Sequence, residues 1–268
     1  MHADVLKLFD LSGKVAMVTG GAVNLGFDAA SVLAGAGCNL VITSRDLERA
    51  GRSAERLRSE YGIDVLPLAL EQTDLAQIPQ IVQEAHRWKG RLDILVNNAG
   101  GGSGQGPCHL FQRKVEDMEK MIRLNLTGAL WCCQHAGRLM ADQKSGKIIN
   151  IASTAGFVGR DRRMYERHKM AGQPIDYAAA KAGVIGMTRD LAALLAPMGV
   201  YVNSISPGGF RRNLPEDFAR DFSDRTPLGR MGRDGIDLKG TVLFLASPAS
   251  DFVVGHNLVV DGGFSIWQ

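Results

Sequence analysis

The feature that most limits the fold of this chain is its alternation. Short, β-branched apolar runs at 14–19, 39–43, 63–70, 92–96, 147–153, 200–206 and 258–260 are each followed by a glycine-rich or polar turn, and most of them then by a stretch with helical spacing. A continuous apolar run, rather than an alternating one, marks a strand buried on both faces. Strands separated by helices cannot pair as hairpins; they need crossovers, which make neighbouring strands parallel. The pattern predicts an α/β fold with one parallel sheet of about seven strands and helices on both faces. With 268 residues, 45% of them hydrophobic, the chain can bury a large core as a single domain. No repeat or low-complexity tract interrupts it.

Charge and composition narrow the partners. The 31 basic and 28 acidic residues leave a net charge of +3, which points to neither nucleic acid nor a membrane surface. No apolar run has the length of a membrane span, and the first residues, MHADVLKLFDLSGK, lack the apolar segment of a secretion signal. Cys38, Cys108, Cys132 and Cys133 show no CxxC spacing, so they read as reduced and structural, no metal site is expected, and the expected compartment is the cytoplasm.

The strand ends carry the chemistry. The first run closes in TGGAVNLG (19–26), and a helix with Leu25, Ala29, Val32, Leu33 and Ala36 at helical spacing follows. A strand, a glycine turn and a helix N-terminus form an anion site suited to a pyrophosphate. The second run ends in Ser44-Arg45-Asp46, where a dinucleotide's adenosine ribose would lie. Arg45 suits a 2′-phosphate, which favours NADP(H), while Asp46 keeps NAD(H) possible. The third run, shortened by Pro67, leads to Glu71-Gln72-Thr73-Asp74, with Asp74 placed to cap the next helix. The fourth ends in Asn97-Asn98-Ala99-Gly100 and continues into a glycine-rich, mobile loop, 101–107. Asn125 sits inside an apolar helix, where a polar amide invites a hydrogen-bonding role. Ser153 ends the fifth run, at the edge where open α/β sheets bind ligands. Two excursions break the alternation: a long basic loop, 156–174, and the segment 210–233, with a small helix over 215–222. A final helix spans about 235–246.

Between the two excursions lies DYAAAKAGVIGMTRDLAALLA, an alanine-rich helix with Tyr177 and Lys181 four residues apart and so on one face. A phenol of pKa about 10 is a poor base at neutral pH. One unit charge ~5 Å away, at an effective dielectric of about 20, contributes roughly 3 kcal/mol, or about two pKa units. The pair is a plausible acid/base catalyst near neutral pH.

TGGAVNLG, NNAG, Asn125, Ser153, YAAAK, SPGG (206–209) and VVDGG (259–263), in that order, resemble the short-chain dehydrogenase/reductase family over nearly the whole chain. The resemblance implies one doubly wound, Rossmann-type domain over 1–268, with the two excursions on the substrate side. It also implies hydride exchange between a nicotinamide cofactor and a small carbonyl or alcohol. A homotetramer, or a dimer, would pair through the long helices that carry Asn125 and Tyr177. Tyr177 would be the general acid in reduction and the base in oxidation. Lys181 would lower its pKa and hold the nicotinamide ribose. Ser153 would hydrogen-bond the substrate oxygen, and Asn125 would hold a water in a proton relay. Gly20, Asn24, Leu25 and Gly26 would line the pyrophosphate, Ser44, Arg45 and Glu71 the adenosine end, with Asn98, Ala99 and Gly100 beside it, and Pro207 and Gly208 the nicotinamide. The sequence departs from the family pattern in four places. Asn24 stands at the middle glycine, but asparagine tolerates left-handed backbone. Glu71 replaces an Asp, and PGGFRRN lacks the usual threonine. The gap from Ser153 to Tyr177 is about ten residues wider than usual, a length that a loop can absorb.

The arginines of the first excursion, with Arg211 and Arg212, could bind an anion such as a sugar-acid carboxylate. The leading expectation is a dehydrogenase of a polyol, sugar or sugar acid, similar to gluconate 5-dehydrogenase. The alternatives are a 3-oxoacyl-carrier-protein reductase, whose surface arginines would dock an acidic partner, and a cofactor-binding regulator without turnover.

Overall fold

The structure, a computed structural model, describes residues 2–102 and 106–267. Seven parallel strands form one sheet: β1 (Val15–Val18), β2 (Asn39–Ser44), β3 (Val65–Ala69), β4 (Ile94–Asn97), β5 (Gly146–Ile151), β6 (Val200–Pro207) and, after two short strands described below, β9 (Asn257–Val260), in the order β3-β2-β1-β4-β5-β6-β9. Helices fill the connections: α1 (Ala3–Lys7) precedes the sheet, then α2 (Asn24–Gly35), α3 (Leu47–Tyr61), α4 (Gln77–Lys89), α5 (Val115–Ile122), α6 (Gly128–Gln143), α7 (Arg162–Arg167), α8 (Ile175–Leu195), α9 (Glu216–Asp224) and α10 (Lys239–Ala246). The fold is the expected single Rossmann-type domain. Among the described residues no helix is long and apolar enough to cross a membrane.

The strand pattern explains the layering. Successive side chains point to opposite faces, so Ala16 and Val18 join Leu40, Ile42, Ile94, Val96, Ile149 and Ile205 under α2, α3 and α10. Val15, Met17, Val41, Leu95, Ile148, Val200 and Val202 pack on the other side against α4, α6 and α8. Cys38, Cys132 and Cys133 are buried free thiols in these layers, and burial pushes the Cys132 thiol up to about 12.

The third strand is short, as expected, at Val65–Ala69; Pro67 is accommodated within it because β3 is the sheet's edge and the missing N–H faces no further strand. Other boundaries differ from the sequence reading. Asp74 does not cap α4: the helix begins at Gln77, and the Asp74 carboxylate instead accepts from Ala76 N at 3.1 Å in the preceding turn. The segment 156–174 is not all loop, since α7 forms within it, capped by Asp161. The last helix is α10, beginning at Lys239 rather than near 235. Of the glycine loop expected to be mobile, residues 103–105 lie outside the described residues.

The sheet reverses its strand order between β1 and β4, which is where doubly wound sheets open a ligand crevice. There α2 approaches β1 so closely that a Cβ on Gly26 would stand 2.2 Å from the Gly20 carbonyl oxygen and 2.4 Å from Asn98 Nδ2. Gly26→Ala should lower stability by about 1–3 kcal/mol through overpacking. Gly51→Ala, with nothing within 4 Å of the added Cβ, should be neutral or stabilising. Urea unfolding of the two variants checks the contrast; equal effects would show that the α2–β1 contact is not tight.

Candidate active site

A cleft of about 1220 Å³ runs along the C-terminal ends of the strands, from the turn after β1 to the residues that follow β5 and β6. At one end, Gly20 (φ 63°) and Asn24 (φ 54°) are both left-handed, so Asn24 does take the place of a glycine. The residue before α2, Val23, has no side chain able to cap it, and the first N–H groups of the helix remain available to an anion. Ser44, Arg45 and Glu71 line the same end, and Arg45 stands 3.9 Å from Glu71. Leu25, Asn98, Ala99, Gly100, Pro207 and Gly208 line the middle of the cleft. Gly26 and Asn125 do not line it; they stand behind it, shaping the residues that do.

The other end holds the polar residues expected to act. The buried stripe of α8 includes Tyr177, Lys181, Val184, Thr188, Ala192 and Leu195, residues three or four apart that face the sheet. Tyr177 and Lys181 are the first two turns of that stripe and reach beyond the strand ends, so they enter the cleft instead of the core. Ser153 lies just past β5, its hydroxyl accepting from Ala155 N at 3.2 Å. Two residues anchor this end. Arg113 pairs with Asp176, which directly precedes Tyr177, through Nε at 3.1 Å and Nη2 at 2.6 Å, and also donates to the Pro107 and Asp117 carbonyls. Asn125, in a π-turn between α5 and α6, grips Gly101 from both sides, accepting from its N–H at 2.9 Å and donating to its carbonyl at 3.0 Å.

Burial works against the expected lowering of the phenol's pKa. The Lys181 ammonium lies 5.8 Å from the Tyr177 ring centre and donates to the Ile151 carbonyl at 2.7 Å. In the protein alone, burial pushes the phenol above its ordinary value, while the Ser153 hydroxyl and the Arg160 guanidinium pull it partly back. Lys181 is itself buried, and its own pKa falls to about 8. A second cation that favours the phenolate is Arg160, 5.6 Å from the ring centre. The sequence reading had Arg160 only as one basic residue among many; its position seven residues after Ser153 was the available signal.

The proposed anion clamp is also revised. Arg211 is exposed, ion-paired with Glu216 and outside the cleft. Arg212 lines the cleft but is held by Asp234 at 2.9 Å.

The buried lysine gives a sign-specific test. Its pKa is about 8 when folded and 10.5 when unfolded, so between those values the unfolded chain binds the extra proton and stability rises with pH. The unfolding free energy of the wild type relative to Lys181→Met should therefore improve by about 3 kcal/mol from pH 7 to pH 10.5. Denaturant titrations at several pH values measure it, and parallel curves for the two proteins would show that Lys181 is not a costly buried cation.

Comparison with known proteins agrees with this geometry. The family described as Enoyl-(Acyl carrier protein) reductase matches residues 20–265. A 3-oxoacyl-(acyl-carrier-protein) reductase from Aquifex aeolicus is 34% identical over 258 residues, covering 94% of this chain and 98% of the relative. A 5-keto-D-gluconate 5-reductase from Escherichia coli is 34% identical over 265 residues, covering 97% and 98%. The crystal structure of a gluconate 5-dehydrogenase from Burkholderia cenocepacia, in complex with NADP and tartrate, superposes with a TM-score of 0.87 at 34% identity, covering 98% of this chain and all of that one. With the strand order, the glycine turn and the Ser153–Tyr177–Lys181 group all in place, the chain belongs to the short-chain dehydrogenase/reductase family of oxidoreductases.

Proposed function

We propose that this enzyme moves a hydride between NADP(H) and the secondary alcohol or carbonyl of a small sugar, polyol or sugar acid. The observation that carries this reading is a single cleft containing both a phosphate cradle and a buried tyrosine–serine–lysine group. The cradle fits a dinucleotide: α2 is uncapped, and Gly26 has no room for a side chain. The turn from Gly20 to Leu25 would hold the pyrophosphate, and Ser44, Arg45 and Glu71 the adenosine end. Asn98, Ala99 and Gly100 would border it, with Pro207 and Gly208 beside the nicotinamide. When bound, the nicotinamide supplies or accepts the hydride.

The chain's own residues handle the proton. Tyr177 donates it to the substrate oxygen on reduction and removes it on oxidation, and the Ser153 hydroxyl stabilises the charge developing on that oxygen. Lys181 keeps N–H groups free after bonding Ile151, enough to reach a ribose hydroxyl. Its positive charge, with that of a bound nicotinamide, would offset the burial that raises the tyrosine. Asn125 has already committed an amide hydrogen and an oxygen lone pair to Gly101, so a relay water would use the second lone pair.

A 3-oxoacyl-carrier-protein reductase is the second reading, favoured by the Aquifex aeolicus relative. It needs a basic face to dock an acidic carrier. Here Asp161 matches Arg163 and Arg225, Asp221 matches Arg167, Glu216 matches Arg211 and Asp234 matches Arg212. Those acids offset much of the basic charge of the excursions, which favours a small substrate. Assembly as a homotetramer or dimer through the helices carrying Asn125 and Tyr177 is supported by exposed Leu130 and Leu194 on α6 and α8. The proposed compartment is the cytoplasm.

The reading is tested by assaying NADPH and NADH against ketoses, keto sugar acids and a 3-oxoacyl thioester. NADPH should be preferred, and Arg45→Ala should lower kcat/KM for NADPH about five- to tenfold, as expected for an exposed pair, with NADH little changed. Tyr177→Phe should abolish turnover and leave cofactor binding intact. Turnover confined to the thioester would select the second reading; turnover unaffected by Tyr177→Phe would defeat both.

A further inference from the structure

Among the arginines that line the substrate end of the cleft, Arg160 is set apart. It leaves the turn after Ser153, lies over the Tyr177 ring at 5.6 Å, and is partly buried. Several arginines around it are paired with acids. Asp161 turns toward Arg163 at 2.8 Å and Arg225 at 2.7 Å, Asp221 takes Arg167 at 3.2 Å, and Asp234 takes Arg212 at 2.9 Å. Among the described residues no carboxylate comes within ion-pair distance of Arg160, and burial lowers its pKa. Withdrawal of an arginine from water without a counter-ion costs free energy, and an arginine does not escape the cost by deprotonating. Such a group is poised to recover that cost from an anion arriving with the substrate. An arginine fork also matches a carboxylate in both charge and shape.

We propose that Arg160 receives a carboxylate of the substrate and thereby selects hydroxy or oxo acids over their neutral counterparts. The inference rests on the dehydrogenase reading above and narrows it. The reacting oxygen is held by Tyr177 and Ser153, so the carboxylate lies a few carbons along the same molecule, on the side of the first excursion. The apolar part of that wall, Met164, Met170 and Phe218, offers no competing charge.

The test uses two ketoses of the same carbon skeleton, 5-keto-D-gluconate and L-sorbose, which differ in ending in a carboxylate or a hydroxymethyl group. In the full-length enzyme with saturating NADPH, Arg160→Gln should raise KM for the acid about 10- to 100-fold, the range expected for losing a charge-assisted pair. Because Arg160 also stands over Tyr177, kcat should fall by a similar factor on both ketoses, while KM for the neutral ketose should stay within about twofold. Arg160→Lys should restore part of the affinity for the acid, since it keeps the charge and loses the fork. An equal rise in KM for both substrates, or none for the acid, would overturn the assignment while Tyr177-dependent turnover continued. A wild-type enzyme that turns over the neutral ketose and not the acid would overturn it as well. Failure of the dehydrogenase reading looks different: no turnover of any carbonyl by the wild type, or turnover insensitive to Tyr177→Phe.

Discussion

The structure depends on an interlock at the point where the sheet changes direction. Asn98 donates through its amide to the carbonyls of Thr19 and Gly20, at 3.0 and 3.2 Å, while the Thr19 hydroxyl accepts from the N–H groups of Asn98 and Ala99, both at 3.0 Å. Strands β1 and β4 end together here, and their following turns would otherwise carry unpaired backbone groups in a crevice. The same amide that satisfies these carbonyls also occupies the space a Gly26 side chain would need. One group thus fixes the separation of the two strands, the approach of α2 and the shape of the glycine turn between them.

From that fixed edge the electrostatic design can be followed. Lys181 and Arg160 are both drawn out of water near Tyr177, and burial lowers the pKa of each. Neither has a carboxylate partner among the described residues. Placing two cations this way costs stability, and the cost makes sense only where negative charge arrives: a phenolate during proton transfer, and an anionic ligand. The buried pair Arg113–Asp176 has the opposite character. It is closed on itself, with the arginine's remaining donors spent on carbonyls, so it holds the start of α8 in place without adding net charge.

The sheet was legible because each strand is a contiguous apolar run and each crossover contains a helix; only the edge strand, with its proline, needed the structure to show its extent. The positions of Tyr177, Lys181, Ser153 and the glycine turn were legible for the same reason: they sit at fixed offsets from regular elements. Effects that depend on three dimensions were not. The phenol's pKa direction turned on how deeply α8 is buried, a property that spacing along one helix does not contain. Arg211 looked equivalent to Arg160 in the sequence, and only the positions of Glu216 and Asp161 separate a neutralised surface group from a free one. The helix α7 was hidden by its charge, because just Met164 of its residues is buried.

The two excursions explain why the widened gap between Ser153 and Tyr177 is tolerated. They do not hang as separate loops. Met164 of the first packs with Phe218, Phe222 and Met231 of the second, and Phe264 stacks on Phe222 with ring centres 4.6 Å apart. His168 and Arg167 reach Asp221, and Arg225 reaches Asp161, so the contact is polar at its rim and apolar within. A short pair of strands, β7 (Phe210–Arg211) and β8 (Gly232–Arg233), closes the base of the second excursion. Folding of each segment against the other recovers burial that neither could obtain alone on the sheet edge. The added length therefore becomes a wall of the cleft. On the proposed function, the chemistry would stay on the regular elements, where positions are rigid, and selectivity would move to a wall that can vary without disturbing them.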